Sequence, residues 1–548
     1  MAGLDGIDMR IWNLKWWALL LSPSIFILLV IVIPFLYAAN FSGISDFSIF
    51  LGKGTAAVLS RQAFRNSIYQ GFASAAMSLA IGFPLGIFIG RYRIRHRRAL
   101  KSFIIIPFFM PSIIIVLAFA SLFGKTSPLI ALFPFVHIFS SGFSGIIAIN
   151  TFFNAPLVAF LASTGIERSH KTLEEASSIL GSGRFGTFIN IWGRDGLTGA
   201  ISGTILAFLY SFSGFAAPLI IGGPSNFTIE TWIYFLVRQE GLVQVGVLFG
   251  LLQSLFLLIP LVIYLFLMSM HRFVDEQGSD RNEEIPPKRE IWFILGSLYT
   301  SIFLIFEVMV FASIAISSVD IGWNSHLTLN GYSELFGRAS SSLDIPSYLP
   351  FLNTAFYGIV TAITVSLIGV MWVVGKRRLN MRNDSARDFV QYVPLVIPAI
   401  MMALSISVFY ETIIDPAYLW LLIIAVQSAV AIPVVLRVVS GGFSEIPKSY
   451  TDSARVMGGN ALFEVELPLA GSSIATALMF GFAISMGEFT ATNFLSTNTF
   501  MPLSVEVYSL ESLRLASASY AAAAILLALS FMFFFAIQKA GDRFIGIR

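Results

Sequence analysis

The sequence predicts an all-α polytopic membrane protein, with about twelve transmembrane helices arranged as two parallel-repeat six-helix halves. Three observations lead there. The chain is rich in apolar residues and poor in charge, apolar windows of spanning length recur along it, and a sparse set of residues repeats at a nearly fixed offset.

Of 548 residues, 56% are hydrophobic and 12% are charged, against about 25% charged in a typical soluble domain. A chain this long could form two or three soluble domains. The 34 Lys and Arg and 31 Asp and Glu residues could not cover their surfaces. A soluble enzyme is therefore excluded. The net charge of +3 is too small to point to a nucleic-acid partner, so the surrounding medium is lipid. The absence of cysteine excludes a disulfide framework, a thiolate nucleophile and a Cys-based metal site. The segment Met1–Lys15 runs into a long apolar stretch with no small-residue cleavage site, which reads as a retained first span rather than a signal peptide.

Crossing the hydrocarbon core takes about 20 mostly apolar residues. Such windows lie near Trp17–Leu36, Ile68–Gly90, Phe103–Phe123, Gly145–Gly165, Leu197–Ile221 and Val243–Met268. A second set lies near Ile291–Ser313, Phe351–Val374, Val390–Phe409, Leu419–Val439, Gly471–Phe489 and Tyr520–Ile537. Arg91, Arg93, Arg95, Arg97, Arg98 and Lys101 follow the second span, and Lys376, Arg377, Arg378 and Arg382 follow the eighth. By the positive-inside rule both clusters are expected in the cytoplasm, and with them the N-terminus. The polar stretch His271–Glu290, interrupted by Pro286-Pro287, reads as a cytoplasmic linker at 271–290. It separates a first half, 1–270, from a second, 291–548.

The halves repeat one another. Phe64-Arg-Asn66-Ser67 returns as Phe351-Leu-Asn353-Thr354, an offset of 287, and Gly71, Gly82, Pro107 and Pro111 meet Gly358, Gly369, Pro394 and Pro398 at that offset. Pro156 pairs with Pro433 at 277, and Phe215 and Tyr234 pair with Phe489 and Tyr508 at 274. Ordered matches at near-constant spacing indicate a parallel duplication.

The loops between spans four and five (near 172–194) and ten and eleven (near 449–468) carry the most specific signal. Thr172 and Ser449 are each followed three residues later by a carboxylate, Glu175 and Asp452, in a capping-box spacing. Small and apolar residues follow, and each run stops at a glycine, Gly181 or Gly458. Each loop thus encodes a short helix of about two turns with a shallow face suited to a groove on a partner. An interfacial helix on the membrane would not need two matched copies.

Glu175-Ala176-Ser177 with Gly181, and Asp452-Ser453-Ala454 with Gly458, resemble the Glu-Ala-Ala…Gly signature of the permease subunits of binding-protein-dependent ABC importers. Gly193-Arg194 stand where that signature has Leu-Pro; the second loop keeps Leu467-Pro468 but is three residues short. The resemblance implies that each loop helix couples to a cytoplasmic ABC ATPase subunit, two copies in all. It also implies an extracytoplasmic solute-binding protein, a prokaryotic plasma (inner) membrane location, and ATP and Mg on the partner with no cofactor on this chain. Phe212-Ser-Gly-Phe215, Gly222-Gly223-Pro224 and Gly487-Glu488-Phe489 are similar to segments of ferric-iron and thiamine permeases, and both substrates stay open.

Catalytic motifs are missing. Gly124-Lys125-Thr126 is the nearest fragment of a P-loop, but the required earlier glycine is Phe119. The five histidines lack metal-ligand spacing, so no enzyme is expected. Ionisable residues within spans are costly. Glu488, with the repeat-matched Phe215 and Phe489, is a candidate for the translocation path or for packing; Glu307 reads as packing. Asn154 and Gln427 read as polar glue between helices. A secondary transporter driven by an ion gradient explains the span count and duplication equally well, but not the matched loops.

Overall fold

The computed structural model describes residues 4–40, 52–92, 94–167, 175–177, 179–272, 291–320, 323, 326–379 and 391–545. Among them the regular structure is helical, with no strand. A helix stands at each expected span: α1 (Lys15–Ala39), α2 (Thr55–Arg91), α3 (Ser112–Leu122), α4 (Gly142–Glu167), α5 (Gly193–Phe212), α6 (Val243–Arg272), α7 (Ile291–Ser317), α8 (Leu349–Arg378), α9 (Ala399–Tyr410), α10 (Trp420–Ser444), α11 (Gly471–Gly487) and α12 (Ala516–Ile545). Linker residues 273–290 lie outside the described residues.

The spans are not equal. Within the described residues, α1, α2, α4, α6, α7, α8, α10 and α12 are long and apolar enough to cross a membrane alone. The other four form two matched pairs. Both α3 and α9 are short because each starts only after the second proline of a pair. Pro111 (φ −53°, ψ 127°) and Pro398 (φ −57°, ψ 149°) are fixed in the extended region just before the first helical turn. Met110, ahead of Pro111, is driven extended as well (ψ 146°). The other pair, α5 and α11, ends early, at Phe212 and Gly487. In addition, α11 meets the segment before it, Ala461–Leu469, at a bend of 62°. Breaks of this kind are tolerated where protein surrounds them.

The helices gather into two compact units. One comprises Ile44–Val245 and Leu252–Leu329, hence α2 to α5, most of α6, and α7. The other comprises Met1–Gly43, Gly246–Leu251 and Asn330–Arg548, hence α1 and α8 to α12. Chain order divides the protein at the linker, whereas packing houses the opening helix of each half among the other half's helices. In the first unit α7 is fastened to α2 and α3: the Tyr299 hydroxyl donates to Ile81 O at 3.0 Å and Ser313 Oγ to Ala118 O at 3.2 Å. In the second unit α1 lies directly on α8. A Cβ on Gly375 would come within 2.5 Å of Leu20 N, so only glycine permits this backbone approach.

Within each unit, contacts recur at the repeat offsets. Asn66 Nδ2 donates to Ser225 O (3.1 Å) and Phe227 O (3.0 Å); Asn353 Nδ2 donates to Thr499 O (3.1 Å) and Met501 O (2.9 Å). The next residue caps a helix in both: Ser67 Oγ accepts from Ile229 N and Thr354 Oγ1 from Leu503 N, each at 2.8 Å. Gly71 faces the Phe208 ring and Gly358 the Phe482 ring. The duplication is therefore structural: each Asn–hydroxyl pair clasps the chain that returns after the break at the end of α5 or α11.

One matched pair has diverged. A Cβ on Gly82 would approach Ala155 O to 2.4 Å, against backbone, whereas on Gly369 it would meet a Val439 methyl at 3.2 Å. Gly82→Ala is expected to lower stability by about 1–3 kcal/mol through overpacking, and Gly369→Ala to change it little. Thermal unfolding of the detergent-purified protein checks this; equal midpoints for the two variants would contradict it.

Candidate functional site

The break after α11 is held by hydrogen bonds donated to one carboxylate. Glu488 leaves the helix (φ −75°, ψ 101°), and its side chain turns forward onto the short helix Thr490–Leu495. Oε1 accepts from Ala491 N at 2.8 Å; Oε2 accepts from Thr492 N at 2.9 Å and from Thr492 Oγ1 at 2.7 Å. These amides belong to the first turn of a helix, which has no internal acceptors for them. Gln427 continues the network, with Nε2 donating to Thr492 Oγ1 (3.0 Å) and Oε1 accepting from Ser485 Oγ (2.6 Å) and Thr361 Oγ1 (3.3 Å). One chain of hydrogen bonds thus joins α8, α10, α11 and the segment after the break.

The first unit solves the same problem without a charge. Gly214 stands in the place of Glu488, and Asn150, Ser211 and Ser74 stand in those of Gln427, Ser485 and Thr361. There Asn154 Nδ2 donates to Ser211 Oγ at 3.1 Å and Gln70 Nε2 to Ser211 O at 2.6 Å. Asn154 and Gln427 both bridge helices, as polar residues between packed spans do. The two phenylalanines occupy equivalent places: Phe215 meets Tyr234 edge-on at 5.4 Å, and Phe489 meets Tyr508 edge-on at 5.7 Å. Phe215, Glu488 and Phe489 are all buried. Glu307 is buried on α7, and its carboxylate has no hydrogen-bond partner among the described residues.

The two loops are alike where both are described. Thr172 lies outside the described residues. Glu175, Ala176, Asp452 and Ser453 are exposed, and Ser177 and Ala454 half-buried. Gly181 (φ +83°) and Gly458 (φ +77°) are left-handed, the geometry that ends a helix and that a Cβ disfavours. Behind them Ser182 N donates to Ser177 O at 3.0 Å and Gly459 N to Ala454 O at 2.8 Å, closing both helices alike. The capping box expected at Ser449 is not formed. That helix, Lys448–Val456, begins a residue earlier, behind Pro447, whose fixed φ starts the turn and places Ser449 inside it. Asp452 instead faces Arg455 at 3.6 Å on the exposed surface.

Just before each glycine stand two apolar residues held almost wholly out of the protein. Ile179 and Leu180 are each 84% exposed; Val456 and Met457, at the same positions of the repeat, are 89% and 86% exposed. The sequence predicts small residues and an apolar edge on these loops, and the offset that matches the glycines also matches this pair.

Removing the Glu488 carboxylate leaves two buried amides and a hydroxyl without their acceptor. Glu488→Ala is expected to cost about 1–3 kcal/mol, seen as a lower unfolding midpoint of the purified protein. Gly214→Ala, at the equivalent place, should not reproduce that loss; a Glu488→Ala midpoint equal to wild type would refute the capping role.

Comparison with known proteins agrees with this geometry. The family described as binding-protein-dependent transport system inner membrane component matches the chain twice, at residues 82–277 and 366–546. The chain is 25% identical over 453 residues to the ferric transport system permease protein FbpB of Actinobacillus pleuropneumoniae, covering 79% of this chain and 64% of that protein. It is 25% identical over 499 residues to the thiamine transport system permease protein ThiP of Haemophilus influenzae, covering 85% and 86%. A shorter match, 27% over 219 residues, is to the sulfate transport system permease protein CysT of Salmonella typhimurium, covering 36% and 77%. The chain thus spans just under two thirds of the ferric relative's length. Matching on both halves, over more than half of its length, the chain belongs to the family of binding-protein-dependent transport system inner membrane components.

Proposed function

We propose that this chain is the membrane-spanning permease of an ATP-driven ABC importer that carries a small solute, ferric iron or a thiamine-like cation. An extracytoplasmic binding protein delivers the solute, and two separate cytoplasmic ATPase subunits hydrolyse ATP. The observation that carries the proposal is the matched pair of exposed apolar tips, Ile179-Leu180 and Val456-Met457, each set on a short capped helix. Loops outside the membrane do not hold such side chains in water at two equivalent places without a partner groove to receive them. Two tips of one design call for two copies of one partner, with the N-terminus and both loops in the cytoplasm.

In this reading the ATPase pair closes and opens on ATP, and the loop helices carry that motion into the spans. The breaks after α5 and α11 shape the solute's way through, with Phe215 and Phe489 at corresponding points and Glu488 holding one of the breaks in form. The relatives' names supply the two solute classes.

Reconstitution with the neighbouring ATPase and binding protein tests the proposal. Uptake into proteoliposomes should require ATP. Ile179→Asp or Val456→Asp should weaken ATPase association by about tenfold or more, since each removes an apolar contact and buries a charge. Bulky substitutions at Ala176 and Ala454 should separate ATP turnover from uptake. Uptake that continues without the ATPase and stops when an ion gradient is collapsed would instead establish a secondary transporter.

A further inference from the structure

The loop helix Lys448–Val456 is fastened on both flanks by Arg377, joined behind it by Arg378. Ahead of it, Arg377 donates through Nη1 to Phe443 O, in the last turn of α10, and through Nη2 to Ile446 O, just past that helix, the latter at 3.5 Å. Behind it, Glu466 turns back to the same place, its Oε1 3.5 Å from Arg377 Nε and its Oε2 2.8 Å from Arg378 Nη2. The Arg378 guanidinium also lies over the Trp16 ring of α1, 5.7 Å from its centroid. The Glu466 side chain is 2% exposed, whereas the Asp452–Arg455 pair on the loop helix is more than half exposed on both sides. A surface pair is loosened by water and salt; a buried one, multiply hydrogen-bonded, keeps its geometry.

The first unit holds the corresponding points together by other means. Arg91 occupies the position of Arg378 and Trp192 that of Glu466, and the Arg91 guanidinium lies over the Trp192 ring at 4.6 Å. The end of α4 is held by Glu167, which accepts from Arg97 at 2.7 Å and from Lys101, while Arg97 also donates to Gly90 O at 2.9 Å. In both units the end of the second or eighth span is joined to the chain on either side of the coupling loop. One unit uses a cation over an aromatic ring and a partly exposed carboxylate; the other joins both flanks through Arg377, which holds two carbonyls ahead of the helix and, with Arg378, one buried carboxylate behind it.

We propose that Glu466, gripped by Arg377 and Arg378, is a positioning residue for coupled transport: it makes the second loop helix, α8 and the ends of α10 and α11 move as one body. The tie rests on the reading of this chain as an ATP-driven permease. It predicts that loosening Glu466 leaves ATP turnover by the partner in place and removes its conversion into uptake.

The test uses the whole reconstituted complex and compares basal ATP turnover, turnover stimulated by the binding protein, and uptake. Glu466→Gln should keep basal turnover and lose about tenfold of the stimulation and uptake, the size of a typical coupling between sites. Because the chain has no cysteine, the double variant Arg378→Cys with Glu466→Cys gives a control on the same folded protein, with the partners made cysteine-free. A short thiol-reactive bridge between the two cysteines should restore uptake, and its reductive release should abolish it again. Wild-type stimulation and uptake in Glu466→Gln, or indifference of the double variant to bridging, would overturn the tie. Wild-type uptake that needs no ATP would overturn the underlying reading instead.

Discussion

The governing constraint is that a peptide group leaving a helix inside an apolar medium has no water to turn to and must be satisfied by the protein. Eight long helices meet it with their own backbones. The breaks at α3, α5, α9 and α11 do not, and the polar side chains of the interior gather around two of them. Asn66 and Asn353 take up the carbonyls of the returning chain, Ser67 and Thr354 cap the helices that follow, and Glu488 supplies an acceptor to three donors at once. In such surroundings buried polarity is chiefly an answer to broken backbone, and a buried carboxylate is not by itself a binding group.

The duplicated units show which answers are interchangeable. The Asn clasp, the hydroxyl cap and the Phe–Tyr contact are retained in both, with distances agreeing to within a few tenths of an ångström. Elsewhere geometry persists while chemistry changes. Glycine replaces glutamate at 214, and an indole replaces a carboxylate at 192. A position that keeps its partner's place but not its charge points to a mechanical requirement, since a strictly chemical one would have held the residue type.

Much of this was legible in the sequence. A helix stands at each of the twelve apolar windows, and the offsets of 287, 277 and 274 matched residues that make the same contacts in each unit. Local rules served less well at ends. Pro111 and Pro398 were visible as a matched pair, yet only the backbone shows that they delay the start of α3 and α9. At Ser449 a capping pattern was outweighed by Pro447, two residues upstream, because a fixed φ decides where a helix starts before a side chain can compete. The housing of α1 and α7 was beyond any periodicity, since an apolar stripe records that a helix is covered and not by what. Ile179-Leu180 and Val456-Met457 were visible only as an apolar edge: in so apolar a chain, how far two such residues stand out carries no signal until their surroundings are known.

The exchange of opening helices has a consequence for biogenesis. Helix α1 is housed with α8 to α12, so its permanent neighbours are synthesised some three hundred residues after it. Until then it must wait in lipid with its Leu20 face and the seat for Gly375 unfilled. Contacts separated by such lengths of chain are slow to form. The second compact unit therefore closes only after α8 to α12 are made, and α1 reaches its final place long after it enters the membrane.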